Sequence, residues 1–242
     1  MNKKTVLIIT SHYPPNMGGV ESHLQALVSE LINKGGEVII STYRPLASKL
    51  AAPKIEKRKN LTIYRMPWFG FNIFHKLTPY PALEFLYLFP GLFFMSLLVA
   101  FKHYKEINVI HSQGLVPTAI GSLIGFLFKK RVVASIHNLY FFPSKGAYPF
   151  LAKLIFSAVD IVLTPTDVAR NELLRIGVPE VKIGGFKYWL NLSVFVSEDK
   201  SGSKENLGWR KFTVFFVGRL IETKGILIIL KMTRSLNRKI QI

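Results

Sequence analysis

Four groups of residues carry side chains or backbone suited to chemistry. The first is the stretch "SHYPPNMGGVESHLQALVSEL", which follows the apolar run Val6–Ile9 and places Gly18 and Gly19 directly before an amphipathic segment. Adjacent glycines there predict a loop with positive φ that lets a ligand approach the backbone. The following helix would aim its free N–H groups and positive dipole end at that loop, a setting for a phosphate or a sugar hydroxyl. Glu21 lies in the first turn and belongs to the same candidate site. A simple tight turn is the alternative. His111, in "VIHSQG", stands at the carboxyl end of a strand-like run, the edge where α/β sheets bind ligands. His137 ends the run "RVVASIH", where a lone histidine is either a satisfied structural residue or a functional one. Arg219 and Lys224, in "VGRLIETKG", follow a strand-like run and open a helix. Arginine offers a planar fork for phosphate oxygens and lysine a compact charge; an ordinary surface charge pair is the alternative.

The pattern around these residues alternates short apolar runs with longer helical ones. "TVLIIT", "EVIIST", "LTIYRM", "NVIHS", "RVVASIH", "DIVLTPT", "VKIGGF" and "FTVFFVG" read as strands. Most lack polar alternation, as strands buried on both faces do. "GVESHLQALVSELINKG", "TAIGSLIGFLFKK", "PFLAKLIFSAV" and "DVARNELLRIG" supply helical crossovers. The expected fold class is α/β, a Rossmann-like doubly wound parallel sheet. Residues 1–190 form the first domain and 191–210 a polar linker. Residues 211–242 are expected to be the truncated start of a second Rossmann-like domain.

The block "LEFLYLFPGLFFMSLLVAF", residues 83–101, approaches the roughly 20 residues of a spanning helix. Glu84 at one end and Pro90-Gly91 in the middle weigh against spanning. A plain core helix is the leading reading, ahead of a helix packed on the sheet with an exposed face toward a membrane.

Composition narrows the partners. The chain has 242 residues, 49% of them hydrophobic, and a mean hydropathy of +0.28, which excludes a disordered chain. It contains no cysteine, excluding disulfides, thiolate nucleophiles and cysteine-based zinc sites. Lys and Arg total 32 against 14 Asp and Glu, a net charge of +18, which favours anionic partners such as a membrane surface or phosphorylated small molecules. The cations are scattered and no nucleic-acid motif accompanies them, so nucleic acid is not the expected partner. The start "MNKKTVLIIT" lacks the features of a secretory signal and reads as a buried strand, so a cytoplasmic protein is expected.

Taken in order, "PPNMGGVESHLQALVSELINKGGEVIISTYR", "INVIHSQGLVPTAIGSLIG", "RVVASIHN", "DIVLTPTDVARNELLRIGVP" and "FTVFFVGRLIETKG" resemble glycosyltransferase family 4. This is a large GT-B class of retaining, nucleotide-sugar-dependent enzymes. "YPPNMGGVESH" is particularly similar to members that glycosylate phosphatidylinositol-type lipids. The resemblance implies that Gly18 and Gly19 line an interdomain cleft beside donor phosphate and acceptor, and that His137 stands by the transferred sugar. It implies that Arg219 and Lys224 hold the donor diphosphate, with no bound metal or other cofactor. The charge balance and the apolar block from Leu83 suggest a lipid-linked or membrane-proximal acceptor, and a peripheral position on the inner face of the membrane is the expectation that goes with it. Two departures stand out. The family's acidic turn before the linker is replaced by "GGFKYWLNLSVF", with Asn191 nearest the expected acid. The family's paired glutamates lie downstream of this chain's last residue, so the chain alone is expected to transfer little sugar. The alternative is a non-catalytic acceptor- or lipid-binding half that needs a separate donor-binding partner.

Overall fold

The computed structural model describes residues 4–46, 49–70, 73–77, 79–137, 140–188, 200–209, 212–218, 224–233 and 240–241. The chain divides into two compact units, Met1–Trp189 and Leu190–Ile242.

The first unit is built on an eight-stranded sheet. Its strands are β1 (Thr5–Thr10), β2 (Glu37–Tyr43), β3 (Ile55–Arg58), β4 (Leu61–Met66), β5 (Ile107–Gln113), β6 (Arg131–Ser135), β7 (Ile161–Thr164) and β8 (Ile183–Gly185). They lie in the order β3-β4-β2-β1-β5-β6-β7-β8. All pairings are parallel except β3 with β4. This is the expected doubly wound α/β architecture. β3 is the element that hydrophobic patterning misses: its sequence "IEKR" is charged because it forms an edge, where charged side chains discourage further pairing.

Helices cover both faces, as parallel crossovers require. The helix α1 (Gly19–Asn33) packs Leu24 and Val28 on Ile8, Val38 and Ile40. The alternate residues Leu7, Ile9 and Ile39 belong to a larger core on the opposite face. That core takes in α3 (Pro81–His103), α4 (Leu115–Phe128) and α5 (Ala147–Ser157). The short α2 (Ile73–Leu77) precedes α3, and α6 (Asp167–Arg175) connects β7 to β8. α6 starts on Thr166, whose hydroxyl accepts from the Ala169 N–H at 3.2 Å.

α3 contains Pro90, which has no N–H and crowds the preceding turn. The phenol of Tyr43 enters the helix ladder at this point. It donates to Leu88 O at 2.6 Å and accepts from Leu92 N at 2.7 Å, bridging two backbone groups that would otherwise pair with each other. Gly91 makes the approach possible, because a Cβ there would lie 2.6 Å from Trp68 and 2.8 Å from the Tyr43 oxygen. Ser41 and Ser96 add a buried hydroxyl pair at 2.9 Å. One face of α3 is therefore core, as expected, but the other is exposed and apolar.

The second unit contains α7 (Lys200–Asn206), β9 (Phe212–Thr213), α8 (Ile226–Thr233) and β10 (Ile240–Gln241), with β9 and β10 paired in parallel. The expected linker thus holds a short polar helix, while its segment 191–199 lies outside the described residues. "FTVFFVG" supplies a two-residue strand in place of a long buried one, and Phe215 and Val217 are exposed.

Candidate active site

The order of the strands reverses between β1 and β5, which are adjacent and place Thr10 opposite Gln113. The chain leaves β1 through α1 on one face and β5 through α4 on the other. The crevice outside the carboxyl ends of strands at such a point is where open α/β sheets take ligands. β6 extends the same edge, with Gln113 opposite Ser135 and His137 two residues beyond. Phe186 and Tyr188, just past β8, complete it.

Two of the expected histidines meet here. His137 donates Nε2–H to Gln113 Oε1 at 2.7 Å, and its Nδ1 lies 2.7 Å from the Tyr188 hydroxyl. An amide oxygen only accepts, so the proton sits on Nε2 and Tyr188 donates to Nδ1. That is a complete set of partners for a neutral imidazole. His111 lies beneath, with Nε2 2.8 Å from Ser135 Oγ. Gln113 is 6% exposed and its amide nitrogen has no hydrogen-bond partner.

His23, from the first turns of α1, joins them. Its ring centroid lies 5.5 Å from that of His137, 5.4 Å from Phe186 and 4.8 Å from Tyr188. Burial, with added repulsion from His23, pushes the pKa of His111 down to about 4. Burial also brings His137 to about 4, with His23 and His111 contributing in that order. Burial lowers His23 as well. The cluster is therefore uncharged at neutral pH.

The glycine loop differs from expectation. Gly18 has φ 179° and ψ 171°, which is extended backbone, and Gly19 is the first residue of α1 without a positive φ. A Cβ at position 18 would meet the carboxylate of Glu21, the far end of a flexible side chain that can swing aside, so neither φ nor space dictates glycine there. Glu21 is the third residue of α1, so its charge lies against the positive end of its own helix. A Cβ on Gly19 would meet nothing within 4 Å, so the approach to the helix start is open there. With Glu21 in this position the helix end suits a hydroxyl-bearing ligand better than a phosphate. Buried Arg65 steadies the loop, donating to Pro14 O at 2.9 Å while it pairs with Glu56 at 2.9 Å.

The two expected cations lie in the second unit. Lys224 is exposed just ahead of α8, and Arg219 lies outside the described residues, as does Asn191. Among the described residues, no group of three or more His, Cys, Asp or Glu is placed to hold a metal ion. His23 draws notice in the first turn after the glycines but is not among the site residues expected from sequence, nor are Gln113, Ser135 and Tyr188. His23 did leave a signal, a histidine among the apolar positions Val20, Leu24 and Leu27 of α1.

Residues 17–184 match the family profile described as Glycosyltransferase Family 4. The chain is 25% identical to an uncharacterized glycosyltransferase of Methanocaldococcus jannaschii, over 96% of this chain and 59% of the relative. It is 22% identical to a phosphatidylinositol N-acetylglucosaminyltransferase component of Arabidopsis thaliana, over 92% of this chain and 47% of that protein. Among solved structures, sucrose-phosphate synthase from Thermosynechococcus elongatus superposes with TM-score 0.75 at 17% identity, covering 99% of this chain and 61% of that one. HepE of Anabaena, in complex with UDP and glucose, gives TM-score 0.68 at 12% identity, covering 99% and 60%. The chain spans about half to three fifths of the length of these relatives.

Proposed function

Because the chain belongs to glycosyltransferase family 4, we propose that it supplies the acceptor-side lobe and donor-contacting cations of a sugar transferase. The enzyme moves a hexosyl group from a nucleotide sugar to a lipid-linked acceptor with retention of configuration. It acts at the cytoplasmic face of a membrane. The observation that carries this reading is the neutral His137, held by Gln113 and Tyr188 at the edge of the sheet where the strand order reverses.

In the proposed reaction the bond between the anomeric carbon and the diphosphate breaks as the acceptor hydroxyl attacks from the same face. The leaving diphosphate takes the hydroxyl proton. Arg219 and Lys224 meet the charge that grows on the diphosphate, an interaction stronger in the transition state than in the ground state. The reading gives that task to these two cations without a metal. When the sugar binds, the Nε2–H of His137 leaves Gln113 Oε1 for a sugar hydroxyl, and the freed amide of Gln113, whose buried nitrogen lacks a partner, turns to donate beside it. A neutral ring is the suitable form, because positive charge develops on the sugar as the leaving group departs. Gly18, Gly19 and Glu21 border the acceptor, and His111 supports the floor through Ser135.

The likeness to the phosphatidylinositol N-acetylglucosaminyltransferase component supports an inositol-phospholipid acceptor. The test is an assay of protein expressed from its full reading frame, with radiolabelled UDP-, GDP- and ADP-sugars and vesicles containing phosphatidylinositol. The expected result is label in the lipid extract, carried on a sugar with the anomeric configuration of the donor. Inversion, or no transfer from any donor, contradicts the reading.

A further inference from the structure

The outward face of α3 has no polar stripe. Leu83, Leu86, Phe94, Leu98 and Phe101 are between 50% and 69% exposed, whereas a surface helix of a soluble domain normally turns charged residues outward. The inner face is fixed to the sheet through Tyr43 and Ser41, so α3 cannot span a bilayer without leaving its own core. Its length and hydropathy alone would allow spanning.

The apolar surface continues onto α4. Phe126 is 88% exposed and Leu127 62%. The rings of Tyr104 and Phe128, 6.3 Å apart, show that the ends of the two helices adjoin. Cations gather at this end: Lys102 and Lys105 after the α3 stripe, then Lys129, Lys130 and Arg131 after α4. The carboxylates of Glu106 and Asp160 nearby are engaged. Glu106 accepts from His103 at 2.8 Å and Asp160 from the Val132 N–H at 2.7 Å. Beside the stripe opens a mostly apolar hollow of about 280 Å³, lined by Met95, Leu98 and Val99 and bordered by Lys54 and Lys102.

We infer that the outer stripe of α3, with the end of α4, seats this domain on an anionic lipid bilayer. α3 lies in the interface plane, its phenylalanines and leucines enter the acyl boundary, and the lysines meet lipid phosphates. The charge selects this occupant. A second copy docked on the same face offers those five cations one acid on α3, Glu84, and none on α4. An anionic surface complements them. The amino end of α3 lies at the carboxyl edge of the sheet, so a bilayer along the stripe reaches the edge that carries His137. That orientation rests on the lipid-acceptor reading given above; the seating itself does not.

The test is co-sedimentation of the full chain, without sugar donor, with vesicles of equal parts phosphatidylglycerol and phosphatidylcholine and with pure phosphatidylcholine. Preference for the anionic vesicles is expected. Leu98→Gln with Phe101→Gln should weaken binding about tenfold or more. Lys129→Glu with Lys130→Glu should remove the preference for anionic lipid. Phe126→Gln with Leu127→Gln is an independent pair should the first fail to melt cooperatively. Binding unchanged by the apolar pairs overturns the inference. So does absence of vesicle binding, or a self-association abolished by these substitutions in its place. Because no donor is present, these outcomes are separate from any failure of the transferase reading.

Discussion

The Nε2–H of His137 meets Gln113 Oε1 across 2.7 Å, and this one bond selects the neutral tautomer at the edge of the sheet. An amide oxygen holds that proton without favouring a second one, whereas a carboxylate in the same place would favour the imidazolium. Gln113→Glu should therefore raise the His137 pKa from about 4 toward or above the ordinary value of 6.5. Following the ring Cε1–H by NMR through a pH titration checks this. A pKa unmoved by the new carboxylate would mean that the two side chains are not paired in solution.

Stability should fall on acidification, and the histidines set the range. His111 and His137 have folded pKa values depressed to about 4 from an ordinary 6.5. Between these values the unfolded chain binds protons that the folded one refuses. Their contribution is thus fully present above pH 6.5 and is lost as pH falls through 4. The loss is of the order of a few kcal/mol. Urea unfolding at stepped pH should show this decline, and His137→Gln should make it shallower. A flat profile from pH 6.5 to 4 would contradict the burial of these rings.

Tyr43→Phe tests the junction between α3 and the sheet. Removing the hydroxyl takes a donor from Leu88 O and an acceptor from Leu92 N beside a proline that already interrupts the ladder. The expected cost is about 1–3 kcal/mol. Tyr64→Phe, which removes a partly exposed contact to His103, should cost less. Thermal or urea melts of the two variants give the comparison, and equal costs would show that the bridge adds nothing to the fold.

Much of the fold is readable because buried parallel strands leave continuous apolar runs. β1, β2 and β4 to β8 all fall on segments read as strands, although β4 alternates with polar residues and β8 keeps one apolar side chain, Ile183. β3 does not, since an edge strand is charged for a reason unrelated to the core. The run around Phe215 misleads in the opposite direction: Phe215 and Val217 are exposed, and of its described residues Phe212 and Thr213 pair as a strand. Glycine at position 18 suggests backbone freedom, whereas its backbone is extended and a Cβ there would meet only the movable carboxylate of Glu21. His111 and His137 are individually visible at strand ends. Their meeting with His23 and Gln113 depends on the register of β5 against β6 and on the seat of α1, both tertiary facts. The outer face of α3 is legible as apolar, but only packing shows which half of that surface stays uncovered.

Sugar transfer by His137→Ala, set beside the unchanged protein, tests the central claim most directly. Both proteins are expressed from the full reading frame and compared at matched folded fraction, established by circular dichroism and melting. The neutral imidazole is proposed to pass its Nε2–H from Gln113 to the transferred sugar, so transfer into lipid should drop about a hundredfold or more, as for loss of a positioning group at a reacting centre. Transfer at the unsubstituted rate would contradict the account, because the edge of the sheet marked by His137, Gln113 and Tyr188 would then not be where the sugar reacts.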